Sequence, residues 1–345
     1  MTDRPEQTGG QDTRRGFLGG ATDDRPTLAA TLVLGAVFLL ALQDGLIKLV
    51  NPEVSLWQFQ VLRSSMNLAL LFLLSRVVWG TAPPRPKRFW AVALRSMLLV
   101  GAMILFFGGV PFLTLAEIAA GLYVFPLFAS ILAAVVLRER LGPRRIVAIA
   151  AGFAGTLLIL KPGTESFALV GLMPVGAGLC YAAQILVTRR SCREESPVTL
   201  ALGVAITFLA FGASGLVVFA MVDGGALAAE WPYLFTGWHE PALWVLAIVV
   251  VSSVLNLTAN IGLAKAYQSA EASWLASFDY SYMIFATFWG FVFWGDTPGA
   301  LTLIGMAMIA TAGAFVTWRE RVAARKGRCK TTSRKRAMST HTGRI

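Results

Sequence analysis

Charged residues are scarce in this chain: Lys, Arg, Asp and Glu make up only 14% of its 345 residues, whereas 56% are hydrophobic. A soluble globular domain carries about 25% charged residues. The composition therefore excludes an ordinary soluble domain. It predicts that most of the chain faces lipid or other helices.

Histidine and cysteine are scarcer still, with two histidines and three cysteines in the whole chain. Cys180, Cys192 and Cys329 imply no disulfide, and no His/Cys cluster has the spacing of a zinc site. No Ser, His and Asp spacing indicates a hydrolase, and no Walker A motif is present. We therefore expect neither a metal nor a cofactor, and these absences weigh against a pump driven by ATP.

Long apolar segments are abundant instead. Segments of about 20 residues recur from Thr27 to Trp318, and each can cross roughly 30 Å of hydrocarbon as a helix. None alternates with the period of two that a membrane β-barrel needs. We predict an all-α membrane protein with ten transmembrane helices. The predicted spans are residues 27–50, 54–79, 88–110, 113–137, 143–161, 168–188, 196–221, 241–264, 269–294 and 300–318.

The net charge of +11 is distributed unevenly along this arrangement. Arg and Lys cluster in the N-terminal segment, in alternate loops and in the tail from Arg319 to Arg344, whereas the intervening loops hold only Lys161. The positive-inside rule then puts both termini in the cytoplasm and requires an even number of spans. A basic tail of this kind fixes topology or contacts anionic membrane lipids, so we expect no nucleic-acid partner.

The chain also contains an internal repeat. The stretch that starts at Val135 matches, without a gap, the stretch that starts at Phe291. Both pass from an apolar helix through an acidic residue, Glu139 or Asp296, to a Gly/Ala-rich helix. A unit of five spans is odd, so the second copy enters the membrane from the opposite side. We predict a disordered cytoplasmic head (1–26), two inverted five-helix repeats (27–163 and 164–318) and a basic cytoplasmic tail (319–345).

These stretches resemble the EamA-domain proteins of the drug/metabolite transporter superfamily, which contain two copies of a five-helix unit. The resemblance is carried by PFLTLAEIAAGLYVFPLFASILAAVVLRERL (111–141), GFAGTLLILKPG (152–163) and SFDYSYMIFATFWGFVFWGD (277–296). The second copy departs from the family pattern, because Ser277 stands where a proline is common and Asp296 where glutamate is usual. The resemblance implies a secondary transporter that works by alternating access.

Two further segments, residues 44–65 and 278–282, look most like the bacterial branches that take up riboflavin or S-adenosylmethionine. The resemblance thus implies uptake of one of these nutrients, with riboflavin as the first choice. Exporters of amino acids and other metabolites belong to the same superfamily, so the direction of transport stays open.

Few charged side chains fall inside the predicted spans, where an ionised group costs about 2.5–3.5 kcal/mol on insertion scales. Asp279 is the first candidate for a substrate site, because it lies near the middle of the ninth span beside Tyr280, with Trp274 a turn earlier. An aromatic wall with few donors and acceptors suits a planar, mostly uncharged ligand. The alternative is a structural role, in which Asp279 accepts hydrogen bonds from neighbouring helices.

Asp44 and Arg63 form a second candidate pair at similar depths in the first two spans. They are either a structural ion pair, or a functional one in which Asp44 changes protonation or contacts substrate. Polar groups in spans often only join helices, at roughly 0.6 kcal/mol each, while a minority line the cavity. The remaining candidates are Tyr123, Tyr181, Gln184, Asn256 and Asn260.

Two other classes of protein compete with a carrier. A polytopic membrane enzyme needs clustered His, Asp or Glu at one membrane face, which the sequence lacks. A sensor or scaffold needs a signalling domain, and the head and tail are too short and too polar to form one. We therefore predict a carrier whose partners are a small-molecule substrate and membrane lipids, and the sequence leaves a homodimer open.

Overall fold

The computed structural model describes residues 26–74, 76, 86–136, 142–160, 169–192, 194–195, 197–222, 224–269, 275, 278–316 and 318. Helices and connecting turns make up this part of the chain, and it contains no strand. Apart from Pro26, the predicted head and tail lie outside the described residues. The helices are α1 (Pro26–Val50), α2 (Leu56–Leu74), α3 (Phe89–Gly108), α4 (Leu115–Leu122), α5 (Phe125–Val136), α6 (Pro143–Leu160), α7 (Leu172–Ser191), α8 (Pro197–Met221), α9 (Gly225–Glu230), α10 (Pro232–Phe235), α11 (Leu243–Ser269), α12 (Ser281–Trp294) and α13 (Ala300–Val316).

The all-helical prediction is confirmed. Six helical segments in the described residues are long and apolar enough to cross a membrane, and three shorter apolar helices accompany them. Two differences from the prediction concern the end of the eighth span and the loop before it. Helix α11 continues to Ser269, beyond the predicted end of the eighth span. Helix α12 lies within the predicted ninth span; before it, residues 270–274 and 276–277 lie outside the described residues, and Leu275, Phe278 and Asp279 are helical. The short helices α9 and α10 were not predicted, because they occupy a segment outside the apolar runs.

The predicted fourth span is two helices with a break at Tyr123 and Val124. Helix α4 begins with a capping box, in which the Thr114 hydroxyl accepts from the Glu117 backbone N–H at 3.3 Å and the Glu117 carboxylate accepts from the Thr114 N–H at 3.0 Å. The helix ends near Leu122, because Pro126 has no N–H to donate to that carbonyl. The break sets the direction of the Tyr123 ring.

The helices pack in a small set of neighbouring pairs. Helix α1 packs along α11 and α12, α3 along α7, and α2 along α8. Both α4 and α5 pack against α7, and α4 also meets α12. Helices α6 and α13 approach closely where Gly155 faces Gly305. Large apolar side chains fill the spaces between these pairs, including the fully buried Phe59, Ile118 and Leu127.

Gly178 of α7 lies against the break between α4 and α5, and replacing it should destabilise the protein. A Cβ at this position would lie 2.9 Å from the Leu122 carbonyl oxygen and 3.4 Å from the Phe125 backbone nitrogen. We expect Gly178→Ala to lower the free energy of unfolding by about 1–3 kcal/mol, because α7 must move away from the break. Thermal unfolding in detergent measures the loss.

Gly101→Ala in α3 is the matched control. Nothing lies within 4 Å of a Cβ added there. Alanine is the better helix former, so this variant should unfold at the wild-type temperature or above it. If Gly178→Ala were as stable as Gly101→Ala, the close approach of α7 to the break would be contradicted.

Candidate functional site

A buried carboxylate, Asp44 of α1, lies between three helices. Its side chain is 8% exposed. The Tyr282 hydroxyl of α12 donates to Oδ2, and Gln43 Nε2 donates to Oδ1 at 3.1 Å. Arg63 of α2, which is 7% exposed, attracts the carboxylate electrostatically. Helices α1, α2 and α12 therefore meet at one charged cluster, which we call the Asp44 cluster.

The Arg63 guanidinium lies between aromatic rings. Its central carbon is 5.5 Å from the ring centroid of Phe107 in α3 and 6.0 Å from that of Phe208 in α8. Contacts of this kind stabilise a cation that has lost water. Its buried Nη1 has no hydrogen-bond partner among the described residues. The Asp44 cluster thus retains a hydrogen-bond donor that a substrate group or a rearranged side chain can use.

Five aromatic rings lead away from the Asp44 cluster. Tyr123, at the break between α4 and α5, stacks on Tyr282 with 5.1 Å between centroids and an interplanar angle of 14°. Tyr280 and Phe125 each lie 5.7 Å from Tyr123, and Phe125 meets Tyr181 of α7 at 4.9 Å. We call this set the aromatic row. Tyr123, Tyr280 and Tyr282 are buried, and the row combines flat apolar ring faces with phenol hydroxyls.

Asp279 lies at the other end of the aromatic row, immediately before α12. It is partly buried and interacts electrostatically with Tyr181 and Tyr280. Arg95 of α3 also interacts with Tyr181, and its guanidinium donates to the Thr188 hydroxyl at 3.0 Å. The aromatic row therefore extends from the Asp44 carboxylate to the Asp279 carboxylate. The Arg95 guanidinium lies near the Asp279 end, at Tyr181.

The structure brings together most of the residues that the sequence singles out. The residues it gathers are Asp44, Arg63, Tyr123, Tyr181, Asp279 and Tyr280. Gln184 lies one turn before Thr188, whose hydroxyl donates to the Gln184 carbonyl at 2.8 Å. Asn260 Nδ2 donates to the Asn256 carbonyl at 2.8 Å, a bond within α11. Trp274 lies outside the described residues.

Three members of the site were missed as candidates: Tyr282, Gln43 and Phe125. Tyr282 is three residues from Asp279, so its position in the sequence associates it with that carboxylate. Its hydrogen bond to Asp44 joins residues 238 positions apart. No local pattern predicts such a contact, and only a three-dimensional pairing of α1 with α12 reveals it.

One end of the bundle is closed by Lys48, near the C-terminus of α1. Its Nζ donates to the Leu113 carbonyl at 2.8 Å, lies 3.8 Å from Asp296 Oδ2 and is 4.9 Å from the Trp294 ring centroid. The Lys48 side chain is only 13% exposed. It therefore joins α1 to the start of α4 and to the turn between α12 and α13. We call these contacts the Lys48 latch.

Comparisons with known proteins agree with a transporter. Residues 27–161 match the EamA-like transporter family. The riboflavin transporter of Vibrio cholerae is 29% identical over 206 residues, which cover 59% of this chain and 62% of that protein, less than two thirds of its length. The riboflavin transporter of Rhizobium johnstonii is 28% identical over 275 residues, covering 78% and 82% of the two chains. The S-adenosylmethionine uptake transporter of Rickettsia prowazekii is 24% identical over 288 residues, covering 82% and 92%.

Proposed function

We propose that this chain is a secondary carrier of a small organic metabolite, because residues 27–161 match the EamA-like transporter family. The membrane is the bacterial inner membrane, with both termini in the cytoplasm. The substrate that we favour is riboflavin. The aromatic row carries this choice, because a flat apolar surface with few hydrogen-bonding groups suits a planar, mostly uncharged ring system. The riboflavin transporters of Vibrio cholerae and Rhizobium johnstonii support it.

The second candidate is uptake of S-adenosylmethionine. Its adenine ring would stack in the same aromatic row, and its positive charge would face Asp279. The Rickettsia prowazekii relative supports this alternative. Export of a metabolite would use the same site with the driving gradient reversed.

The ten-span architecture with two inverted repeats is part of the proposal, and the helix packing supports it. In this numbering α4 and α5 together are the fourth span, α7 is the sixth and α11 is the eighth. When each span is exchanged with the span five places away, the observed helix pairs are converted into one another. The pair α1 with α11 becomes α7 with α3, and both pairs are present. The pair α2 with α8 becomes itself, as a two-fold relation requires.

Reporter tags test this architecture. A tag after residue 80 should lie in the cytoplasm, and one after residue 225 should lie outside, because five-span units alternate in orientation. The same location for both tags would exclude the inverted repeats.

Alternating access requires that one end of the carrier is closed while the other is open, and we assign closure of the outer end to the Lys48 latch. Lys48→Met should shift the carrier toward outward opening by roughly 10–100-fold, since a hydrogen bond to a charged group contributes about 1.5–3 kcal/mol. Leu115 reports on opening, because it is buried beneath the latch and contacts the position of Gly45. A thiol reagent that cannot cross the membrane should label Leu115→Cys faster from outside in the Lys48→Met background.

Lys48→Arg is the matched control for the latch. It keeps the positive charge near Asp296 and should keep labelling close to the Lys48 rate. Equal labelling rates for the Met, Arg and Lys forms would exclude a latch at this residue.

Uptake by reconstituted vesicles tests the function. Labelled riboflavin should accumulate without ATP, saturate with concentration and exceed labelled S-adenosylmethionine in the same vesicles. An enzyme would convert its substrate without accumulation, and a sensor would do neither. If a folded, inserted protein moved neither compound, both proposed substrates would be refuted.

A further inference from the structure

A cavity lies beside the Lys48 latch at the same end of the bundle, apart from the aromatic row. Its volume is about 300 Å³, at the lower end of the range for small-molecule sites. It is bounded by the turn after α1 (51–54), the turn after α3 at Pro111 and Phe112, and the segment from Trp231 to His239. All three belong to the end of the bundle that the proposed topology puts outside. We call this cavity the outer pocket.

The outer pocket has an aromatic wall. The rings of Phe112 and Trp231 lie 4.4 Å apart at an angle of 50°. Tyr233 also lines the cavity, is only 4% exposed, and its hydroxyl has no hydrogen-bond partner among the described residues. A buried hydroxyl without a partner is destabilising, so a ligand group that reached it would gain a hydrogen bond. Burial raises the pKa of the Tyr233 phenol above its ordinary value, which favours the protonated hydroxyl.

The walls of the outer pocket are held in place by α2. Gln58 Nε2 donates to the His239 carbonyl at 2.6 Å, and the His239 N–H donates back to Gln58 Oε1 at 3.0 Å. Trp57 Nε1 donates to the Leu234 carbonyl at 2.7 Å. Small-molecule sites are usually largely formed before the ligand binds, and these bonds meet that requirement.

Tyr233 connects the outer pocket with the Asp44 cluster. The phenol interacts electrostatically with Arg63, which in turn attracts Asp44. Tyr233 therefore stands between a cavity that faces outward and the charged group nearest the aromatic row. A molecule in the outer pocket is one side chain away from Arg63.

The charges around the outer pocket restrict the ligand. Glu53 and His239 line it with the polar Asn51 and Thr236, and none of its described lining residues is Lys or Arg. The Glu53 carboxylate would repel a phosphorylated or otherwise anionic molecule, and no Lys or Arg among these lining residues would attract it. The composition fits a planar aromatic molecule that is neutral or positively charged and has hydrogen-bonding edges.

We infer that the outer pocket binds the substrate before transport, as a site separate from the aromatic row. This inference rests on the proposed function, because the ligand is the transported planar molecule. When the Lys48 latch opens, Tyr233 moves aside and the ligand passes from the Phe112 and Trp231 wall toward Arg63.

Protection of a single cysteine tests the inference. Thr236→Cys, in the outer pocket, is labelled from outside with a maleimide that cannot cross the membrane. Riboflavin at ten times its dissociation constant should slow this labelling about tenfold, because only the free fraction reacts. Glu240 directly follows the segment from Trp231 to His239, is exposed and is not part of the pocket lining, so riboflavin should leave the labelling of Glu240→Cys unchanged.

Two further variants separate the outer pocket from the aromatic row. Asp279→Asn alters the inner site, and protection of Thr236→Cys should persist in that background. Trp231→Ala removes part of the wall and should abolish protection. Protection that disappears with Asp279→Asn, or survives Trp231→Ala, overturns the inference.

The inference and the proposed function can fail separately. If riboflavin is transported but does not protect Thr236→Cys, the outer pocket is not a binding site and the carrier function stands. If riboflavin is not transported, the labelling is repeated with S-adenosylmethionine, whose adenine and positive charge also fit the pocket. Absence of protection by both compounds overturns the inference.

Discussion

Asp44→Asn should lower the rate of substrate transport about 100-fold or more in a protein that still inserts into the membrane. Removing one member of a buried charge pair costs about 3–5 kcal/mol. If at least about 2.8 kcal/mol of this cost falls on a conformation that the transport cycle must pass through, the rate drops about 100-fold, because each 1.4 kcal/mol is a factor of ten. Arg63 would be left buried without its opposite charge. Tyr282 and Gln43 both donate hydrogen bonds to the Asp44 carboxylate. Asparagine has an NH2 donor in place of one of the two acceptor oxygens, so one of these hydrogen bonds would be lost. Initial uptake rates in vesicles with equal amounts of protein measure the loss.

Two further variants decide what the Asp44 charge does. Tyr282→Phe removes one donor and leaves the carboxylate charged, so transport should fall only about tenfold. The double variant Asp44→Asn with Arg63→Gln removes both charges and should recover thermal stability. If it also recovers transport, Asp44 and Arg63 are a structural ion pair. If transport stays lost, the charge itself takes part in the transport cycle. Wild-type transport by Asp44→Asn alone would exclude both roles.

The helices were predictable because the thickness of the hydrocarbon layer fixes the length of an apolar helix. Pro143, the first residue of α6, and Met221, the last of α8, agree with the predicted ends of those spans. Hydropathy gives no information on helices beyond the apolar run. This explains why α11 was expected to end before Ser269 and why α9 and α10 were missed.

The members of the site were partly predictable, but their contacts were not. Asp44, Arg63 and Asp279 stand out because ionisable side chains are rare in apolar segments. Position along a span gives the depth of a side chain but not the neighbour it faces. The pairing of Asp44 with Tyr282, and of Lys48 with the Leu113 carbonyl, depends on how distant helices are placed side by side.

Asp279→Asn should reduce transport about 10–100-fold, because a hydrogen bond to a charged group contributes about 1.5–3 kcal/mol. Asp279 is only partly buried, whereas Asp44 lies deep between three helices. The loss should therefore appear as a higher KM with little change in thermal stability. Uptake measured over a range of substrate concentrations, together with thermal unfolding, separates the two effects. A wild-type rate at matched membrane abundance would remove Asp279 from the substrate site.

The size of the Asp279→Asn effect also depends on the ligand. Riboflavin is neutral, so the variant removes only a hydrogen-bond acceptor from the end of the aromatic row. S-adenosylmethionine carries a positive charge, so the same change also removes an electrostatic attraction in a site of low dielectric constant. We expect the KM for S-adenosylmethionine to rise more than that for riboflavin, and Asp279→Glu, which keeps the charge, to restore part of both. Equal increases for the two compounds would mean that the carboxylate does not face the bound ligand.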